Sequence, residues 1–388
     1  MHNFPVWPQF EQDEIDLVVK ILRSGKTNTW VGEHVRKFEI EFSDYISMPH
    51  ALAVSNGTLA LELALFCLGI DSGDDVIVPS KSYIATASSV VIRGANQVFA
   101  DIDISTNNIT LDSIKKVITN KTKAIIVVHL GGCPCEMDEI CKFTKENNLL
   151  LIEDCAQAHG AEYKQKKVGS FGDASIFSFC QDKIISTGGE GGMLLLRDEV
   201  AWEKGWAFRD HGKDYQIMNN RNIDQVFPWP HTSIGTNLRM TEMQAAIGRL
   251  QLKKLPGWLG QRRENAIYLL EKLRKLDCLT VPAYPNYIAH SFYRVYVRLV
   301  IEKLNKNWDK DRVIRAINDL GVPCYQGSCS ALYKEKAFQS KNTQLKMLPN
   351  AEELEKHSIC FLSHHTLDKN HMDTFVTCVS RVLLEATK

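Results

Sequence analysis

Lys183 lies between a run of strand-like residues that carries a hydroxyl and a cluster of glycines. Residues 175–179 precede it, and the glycine-rich residues 188–192 follow it. A lysine amine that is partly removed from water can form a Schiff base with an aldehyde such as pyridoxal phosphate. The Ser178 hydroxyl is a candidate ligand for the phosphate, and the glycines allow the backbone to approach closely. We therefore interpret Lys183 as a cofactor-binding lysine, although a lysine beside glycines is by itself more often a solvated loop residue.

A pyridoxal phosphate site also needs a carboxylate, phosphate-binding groups and an aromatic ring. The carboxylate keeps the pyridine nitrogen protonated so that the ring can accept electrons, and Asp154 suits this task. Gly57 and Thr58 open a predicted helix directly after a predicted strand, which is a favourable place for a phosphate. Tyr83 is placed to cover the cofactor ring, and Gln157 to donate to its phenolic oxygen. Taken singly, these residues are equally well explained as helix caps, a core tyrosine and a surface amide.

The elements that must position these residues alternate between short apolar strands and helices. Strands are predicted at residues 51–54, 75–79, 96–101, 123–129 and 149–153. Such alternation favours right-handed crossovers and a mostly parallel sheet flanked by helices, which is an α/β fold. Ligands of such sheets bind at the carboxyl ends of the strands, where the candidate residues lie. The two runs on either side of Lys183 predict a hairpin that carries this lysine on its connection.

The length and patterning predict more than one domain. A chain of 388 residues exceeds the size at which a single core usually stops growing. We expect an N-terminal arm at residues 1–20, a large cofactor-binding domain at 21–255 and a smaller C-terminal α+β domain at 256–388. Pro256 and Gly257 are expected to end a strong helix at the boundary. Residues 292–300 then alternate as a half-buried antiparallel strand does.

Composition argues for a small-molecule partner. The chain has 46 basic residues (lysine and arginine) and 46 acidic residues (aspartate and glutamate), so its formal net charge is zero. We therefore expect no basic surface for binding nucleic acid or an anionic membrane. The apolar runs are too short to span a bilayer, and the polar N-terminus does not resemble a signal peptide. Together with eleven cysteines that form no Cys-x-x-Cys pair, these features predict a cytoplasmic protein with reduced thiols.

Two other readings of the motifs are disfavoured. Cys133-Pro-Cys135 has no second cysteine or histidine pair at metal-binding spacing, so we expect no metal site. The glycine cluster after Lys183 lacks the Gly-x-Gly-x-x-Gly pattern after the first strand and the ribose-binding acid that a dinucleotide requires.

Taken together, the motifs resemble the DegT-type (StrS-like) sugar aminotransferases, which are pyridoxal-phosphate enzymes of fold type I. The resemblance covers almost the whole chain. Its most specific segments are Ser55-Asn-Gly-Thr58, Glu153-Asp-Cys-Ala-Gln-Ala-His-Gly160, Phe177-Ser-Phe179 with Lys183, Gly189-Glu-Gly-Gly192, and Gly235-Thr-Asn-Leu-Arg-Met240 leading to Gln244-Ala-Ala-Ile-Gly248.

The resemblance implies a role for each candidate. Lys183 is expected to bind the cofactor covalently and then to move the proton between C4′ and the substrate carbon. Asp154 is expected to pair with the pyridinium nitrogen, Gln157 to contact the ring oxygen, and Tyr83 to stack on the ring. Asn237 is expected to reach the phosphate of the neighbouring subunit, which implies a homodimer with shared active sites. The residues expected to bind the phosphate of their own subunit are Gly57, Thr58 and Ser178.

The activity implied is transfer of an amino group, from L-glutamate, to a keto carbon of a nucleotide-linked deoxysugar. The product would supply an amino sugar for a lipopolysaccharide O-antigen or another glycoconjugate. A dehydratase branch of the family has histidine at the lysine position, so Lys183 favours transamination over a dehydratase or lyase acting on the same sugars. A non-enzymatic sensor would need a DNA-binding module, and none is evident. Residues 325–332 and Phe361-Leu-Ser-His-His365 depart from the family pattern, which leaves the nucleotide, the sugar and the aminated carbon open.

Overall fold

The computed structural model of the protein describes residues 4–219, 230–329, 331–339 and 347–387. Strands and helices alternate through the first half of these residues. The strands are β1 His50–Val54, β2 Asp75–Pro79, β3 Asn96–Ala100, β4 Thr122–Val128, β5 Leu150–Asp154, β6 Glu162–Tyr163, β7 Lys166–Lys167, β8 Ala174–Ser178, β9 Gly192–Leu196, β10 Leu279–Thr280, β11 Ile288–Ala289, β12 Val295–Leu299, β13 Cys324–Tyr325 and β14 Ser358–Phe361. The helices are α1 Gln12–Ser24, α2 His34–Ile46, α3 Gly57–Cys67, α4 Ala85–Ile92, α5 Leu111–Lys115, α6 Met137–Glu146, α7 Glu199–Arg209, α8 Tyr215–Asn219, α9 Glu242–Leu273, α10 Lys310–Asp319, α11 Lys336–Gln339, α12 Pro349–His357 and α13 Lys369–Thr387.

A seven-stranded sheet organises the described part of the large domain. Its strand order is β1-β9-β8-β5-β4-β2-β3. The pairs between β3, β2, β4, β5 and β8 are parallel, whereas β9 runs antiparallel to both β8 and β1. The predicted α/β fold is therefore confirmed. The predicted hairpin is confirmed as well, since Ser178 of β8 lies opposite Gly192 of β9 and Lys183 is on the connection.

Helices cover both faces of this sheet because its strands are apolar on both sides. In β1, Leu52 and Val54 join an apolar cluster with residues of α3, α4 and α7. Ala51 and Ala53 point the other way and join a cluster with α2 and the first half of α9. Strands buried on both faces are typical of parallel α/β sheets.

The C-terminal part has a second sheet and its own core. The strand order is β10-β12-β14-β13 and every pair is antiparallel. The core of this part combines the second half of α9 with α10, α13 and the sheet. These observations agree with the α+β character predicted for residues 256–388.

The expected helix end at Pro256 and Gly257 is wrong. Helix α9 runs unbroken through both residues to Leu273, with Pro256 inside it. Pro256 removes one backbone hydrogen bond, but buried side chains before and after it in the sequence maintain the helix. Leu255 and Leu259 pack in the core of the large sheet, and Leu269 packs in the C-terminal core. The division into residues 1–20, 21–255 and 256–388 stays a prediction, and one helix crosses its second boundary.

Two segments at the periphery complete the description. The N-terminal arm packs on the C-terminal part through Phe4, whose ring lies 4.7 Å from that of Phe375. Residues 207–219 contain the end of α7 and the short helix α8, and residues 220–229 lie outside the described residues. Within the described ranges, every helix is too short or too polar to cross a bilayer.

We predict that acid destabilises the fold through two buried histidines. His159 lies between the rings of Phe177 and Phe179, and His290 stacks on Phe292. Burial lowers the pKa of each from 6.5 to about 3. The unfolded chain therefore binds these protons first, so stability is lost as pH falls from 6.5 towards 3. Each histidine should lower the free energy of unfolding by ~1.4 kcal/mol per pH unit in this window.

Urea unfolding between pH 5.5 and 4, inside this window, measures this slope. His159→Phe keeps a ring between the two phenylalanines and removes one titrating group. It should therefore reduce the slope by ~1.4 kcal/mol per pH unit. A variant with the slope of the wild type would contradict the assignment to His159.

Candidate active site

A cavity of about 720 Å³ opens at the carboxyl ends of the parallel strands. Its walls come from the large sheet, from the Lys183 connection and from the C-terminal part. The predicted site residues that line it are Gly57, Thr58, Tyr83, Asp154, Gln157, Ser178 and Lys183. Residues far apart in sequence are thus brought to one place by the parallel sheet, as the strand-end rule predicts.

The first turn of α3 forms one end of the cavity and packs directly against β8 and β9. Asn56 caps this helix by accepting a hydrogen bond of 2.9 Å from the Leu59 N–H. A Cβ on Gly57 would lie 2.7 Å from the Ser178 Cβ, and one on Gly192 would lie 2.4 Å from the Asn56 carbonyl oxygen. Only glycine permits this contact at either position.

This end of the cavity fits a phosphate. The N-terminus of a helix presents N–H groups without intrahelical partners and the positive end of the helix dipole. The Thr58 and Ser178 side chains line the same cavity, which adds two hydroxyl groups. Backbone amides and hydroxyls at a helix N-terminus are a recurrent anion-binding arrangement.

Asp154 is a buried carboxylate held in one orientation. Its Oδ2 accepts a hydrogen bond of 2.9 Å from the Thr86 hydroxyl, and its Oδ1 accepts one of 3.1 Å from the Ala156 N–H. Burial raises the pKa of Asp154, although both hydrogen bonds and the charge of Lys183 oppose this effect. A buried carboxylate with a raised pKa is stabilised by a cationic partner, which a protonated pyridine nitrogen would supply.

Gln157 has its amide orientation set by the backbone. Its Oε1 accepts a hydrogen bond of 2.8 Å from the Gly131 N–H, so its Nε2 is directed to the other side. Nε2 lies 3.3 Å from the Ser328 hydroxyl, which also lines the cavity. The side chain therefore presents its N–H donor on the side of Ser328, and the expected contact with the ring oxygen stays a prediction.

Lys183 is surrounded by a tyrosine, a carboxylate and an arginine. Its Nζ lies 3.4 Å from the Tyr293 hydroxyl and 3.5 Å from Asp182 Oδ1. Tyr293 donates to the Asp182 carboxylate, and Arg294 Nη2 lies 3.4 Å from Asp182 Oδ2. Burial alone would raise the pKa of Asp182, but the charges of Lys183 and Arg294 and the Tyr293 hydroxyl together lower it. Asp182 is thus an anion that holds the surrounding donors, including the lysine amine.

The remaining two predicted residues lie at the edges of the site. Tyr83 precedes α4 on the cavity rim, and 65% of its surface is exposed. Asn237 is exposed and lies away from the described cavity, where it pairs through its backbone with Asp210. Its side chain accepts a hydrogen bond of 3.3 Å from the Arg239 N–H. Within the described part of one chain, Asn237 is therefore separate from the other seven.

Several lining residues were missed by the sequence analysis. Thr86 is buried and donates to Asp154, and this contact has no sequence signature. Tyr293 and Arg294 come from the C-terminal part, where only the alternating pattern of residues 292–300 was available as a signal. The cavity is also lined by Asn56, Asp182, Tyr296, Tyr325 and Ser328.

The two segments that depart from the family pattern have different positions. Tyr325, Gly327 and Ser328 line the cavity. By contrast, the described lining includes no residue of 361–365, although the preceding Cys360 belongs to it. Only the first departure is thus in direct contact with the volume available to a substrate.

A buried trio of metal-ligand types near the site has its donor atoms already engaged. The carboxylate of Glu153 accepts hydrogen bonds of 2.7 to 2.8 Å from the N–H groups of residues 169, 171 and 172. His129 Nδ1 accepts from the Cys135 N–H at 3.0 Å, so its Nε2 carries the proton and donates to Glu153. Burial raises the pKa of Cys155 well above its ordinary value, which keeps the thiol protonated. The trio therefore ties the 169–172 loop to β5 and supports no metal assignment.

Known proteins resemble this chain over most of its length. A family model described as the DegT/DnrJ/EryC1/StrS aminotransferase family matches residues 8–380. GDP-perosamine synthase of Escherichia coli O157:H7 is 42% identical over 270 residues, which cover 69% of this chain and 70% of that protein. GDP-perosamine synthase of Caulobacter vibrioides is 40% identical over 319 residues, covering 81% of each. The crystal structure of an aminotransferase from Psychrobacter cryohalolentis is 45% identical, with a TM-score of 0.96 over 100% of both chains.

We predict that Gly57→Ala weakens cofactor binding and stability together. The added methyl group would force the first turn of α3 away from Ser178, at a cost of ~1–3 kcal/mol for overpacking. The free energy of unfolding and the dissociation constant for pyridoxal phosphate report the two effects.

Gly257→Ala is the matched control. A Cβ at Gly257, an exposed position in α9, has nothing within 4 Å. Alanine should be neutral there or stabilise the helix by ~0.5–1 kcal/mol. Equal losses in both variants would contradict the close contact at Gly57.

Proposed function

We propose that this chain, a pyridoxal-phosphate-dependent enzyme that belongs to the DegT/DnrJ/EryC1/StrS aminotransferase family, acts on a nucleotide-linked deoxysugar. It converts a keto group of the sugar to an amine, and L-glutamate is the proposed amino donor. The observation that carries this proposal is that Lys183 and Asp154 line one cavity whose end is the N-terminus of α3. A nucleophilic amine, a buried acid and a phosphate cradle are the groups that this cofactor requires.

When bound, pyridoxal phosphate supplies an aldehyde for amine exchange and a ring that accepts electrons. Lys183 would hold the cofactor through its amine and would hold and transfer the proton at the reacting carbon. Asp154 would keep a proton on the ring nitrogen, and Gln157 would donate to the ring oxygen. Tyr83 would lie against the ring and exclude water. The residues proposed to bind the phosphate are Gly57, Thr58 and Ser178.

The surroundings of Lys183 support its role in proton transfer. Tyr293 is a buried phenol whose pKa burial raises, so its hydroxyl keeps its proton and orients the neighbouring groups. Asp182 holds the lysine amine near the cavity whenever the amine is not bonded to the cofactor. Arg294 lines the cavity beside it and offers a cation suited to a carboxylate of the amino donor.

The sugar substrate is proposed from the relatives and from one wall of the cavity. Two relatives at 40% and 42% identity are GDP-perosamine synthases, so we propose a GDP-linked sugar first among the nucleotide sugars. The product would enter an O-antigen or another surface glycoconjugate. Tyr325 and Ser328 lie where the sequence departs from the family, and this wall is proposed to select the sugar.

The eleven cysteines, all in the described part of the chain, are free thiols, which supports a reducing cytoplasmic location.

We also propose a homodimer in which Asn237 completes the partner's phosphate site. Asn237 is exposed, and Ile234, three residues before it, is an apolar side chain that is 89% exposed. An exposed apolar side chain beside a polar residue with an expected ligand suits an interface between two copies.

We predict that Lys183→Ala abolishes both the cofactor absorbance and the amine transfer. The wild-type protein with cofactor should absorb at roughly 410 to 430 nm, and borohydride should fix the cofactor to Lys183. The rate of L-glutamate formation from GDP-perosamine and 2-oxoglutarate should fall by at least roughly 10²–10⁴-fold in the variant.

Lys142→Ala is the matched control, because Lys142 is a surface lysine with 76% of its side chain exposed. It should keep both the band and the activity. Transamination by Lys183→Ala would overturn the mechanism, and release of ammonia without amine transfer would favour the dehydratase alternative.

We predict that Lys183→Ala and Asn237→Ala complement each other in mixed dimers. With random pairing, half of the dimers are mixed, and each has one site with both residues intact. Activity should therefore reach roughly a quarter of that of the wild type at limiting cofactor. Activity no higher than the average of the two separate variants would contradict a shared site.

A further inference from the structure

We infer that Trp7 is a positioning residue for Lys183, an inference that rests on the proposed role of that lysine. The indole Nε1 of Trp7 donates a hydrogen bond of 2.6 Å to the main-chain carbonyl oxygen of Lys183. The two residues are 176 positions apart, so the N-terminal arm reaches the connection between β8 and β9. Nothing in the sequence analysis assigned the arm a place in the site.

The contact bears directly on the direction of the lysine side chain. The Lys183 N–H donates to the Cys180 carbonyl oxygen at 3.0 Å, so the peptide group on its N-terminal side is held by its own loop. The peptide group on its C-terminal side is held by Trp7. Fixing both peptide groups fixes the Cα–Cβ bond, and with it the region that Nζ can reach.

The indole of Trp7 belongs to a cluster of three rings, and the other two rings hold it in place. The ring of Trp7 makes edge contacts with Trp258 at 5.3 Å and with His365 at 4.7 Å. His365 stacks on Trp258 with the ring centroids 4.3 Å apart and the planes 6° apart. Edge-to-face and stacked pairs of this kind have well-defined geometry. The indole N–H is therefore directed by rings from α9 and from the segment after β14.

The cluster also gives a structural role to one of the departures from the family pattern. His365 belongs to residues 361–365, which the described cavity lining does not include. Burial, together with the charge of Arg262, lowers the pKa of His365 to about 3, so its ring is neutral and packs as an aromatic group. This segment thus acts on the site through Trp7 and not through the substrate.

Trp7→Phe tests the inference because it keeps a ring in the cluster and removes the N–H donor. Two readouts are needed. The first is the rate at which the visible band forms when pyridoxal phosphate is added to the cofactor-free protein, which should fall roughly 5–10-fold because the amine is less well oriented. The second is the steady-state kinetics, in which kcat should fall by a similar factor while KM for the sugar nucleotide changes less than about twofold.

Trp258→Phe is the matched control, since it alters the same cluster without removing the bond to Lys183. It should form the visible band at the rate of the wild type. His365→Leu is a second test of the inference, because it removes a ring that orients Trp7 and leaves the indole N–H donor in place. It should slow band formation in the same direction, by roughly 2–3-fold.

The outcomes separate this inference from the function on which it rests. Wild-type rates in Trp7→Phe, or equal slowing in Trp258→Phe, would overturn the positioning role alone. A wild-type protein in which borohydride attaches the cofactor elsewhere than Lys183 would overturn the proposed function itself. If Trp7→Phe does not fold, wild-type band formation in His365→Leu overturns the positioning role.

Discussion

The contact between the first turn of α3 and the ends of β8 and β9 is the constraint on which the site depends. Gly57 lies against the Ser178 side chain and Gly192 lies against the Asn56 backbone, and neither position has room for a Cβ. This approach places the helix N-terminus and the Ser178 hydroxyl at the same end of one cavity. It also sets the start of the connection that carries Lys183, since Ser178 and Gly192 are its paired ends. The proposed phosphate site and the lysine are therefore positioned by a single packing contact.

Two carboxylates near Lys183, those of Asp154 and Asp182, have pKa values that are shifted in opposite directions. This difference suits a transfer of protons. Asp154 is buried, and its pKa is raised, so it gains stability from a cation beside it. Asp182 is already surrounded by donors and cations that lower its pKa. A bound pyridinium would complete the environment of the first acid, while the second retains the free amine. Two carboxylates of the same chain can thus serve a ring nitrogen and a lysine because their partners differ.

The parallel half of the site was predictable from sequence because each residue follows a strand. Gly57, Asp154 and Ser178 come at strand ends that a parallel sheet must bring together, so periodicity and order sufficed. The other wall was not predictable. Tyr293 lies just before β12 of the second sheet, and its approach to Lys183 depends on how two cores pack. The role expected of Asn237 comes from the family resemblance and not from strand order, since its expected ligand lies in a second copy.

The error at Pro256 shows how the two walls of the cavity are held together. A proline followed by glycine favours a helix end when only local preferences act. Here, Leu255 and Leu259 are buried in one core and Leu269 in the other, and the burial of these side chains outweighs one lost hydrogen bond. A hinge at residue 255 would require α9 to break while both halves stay packed. The wall that carries Tyr293 is therefore held in place relative to Lys183 by a continuous helix that packs in both cores.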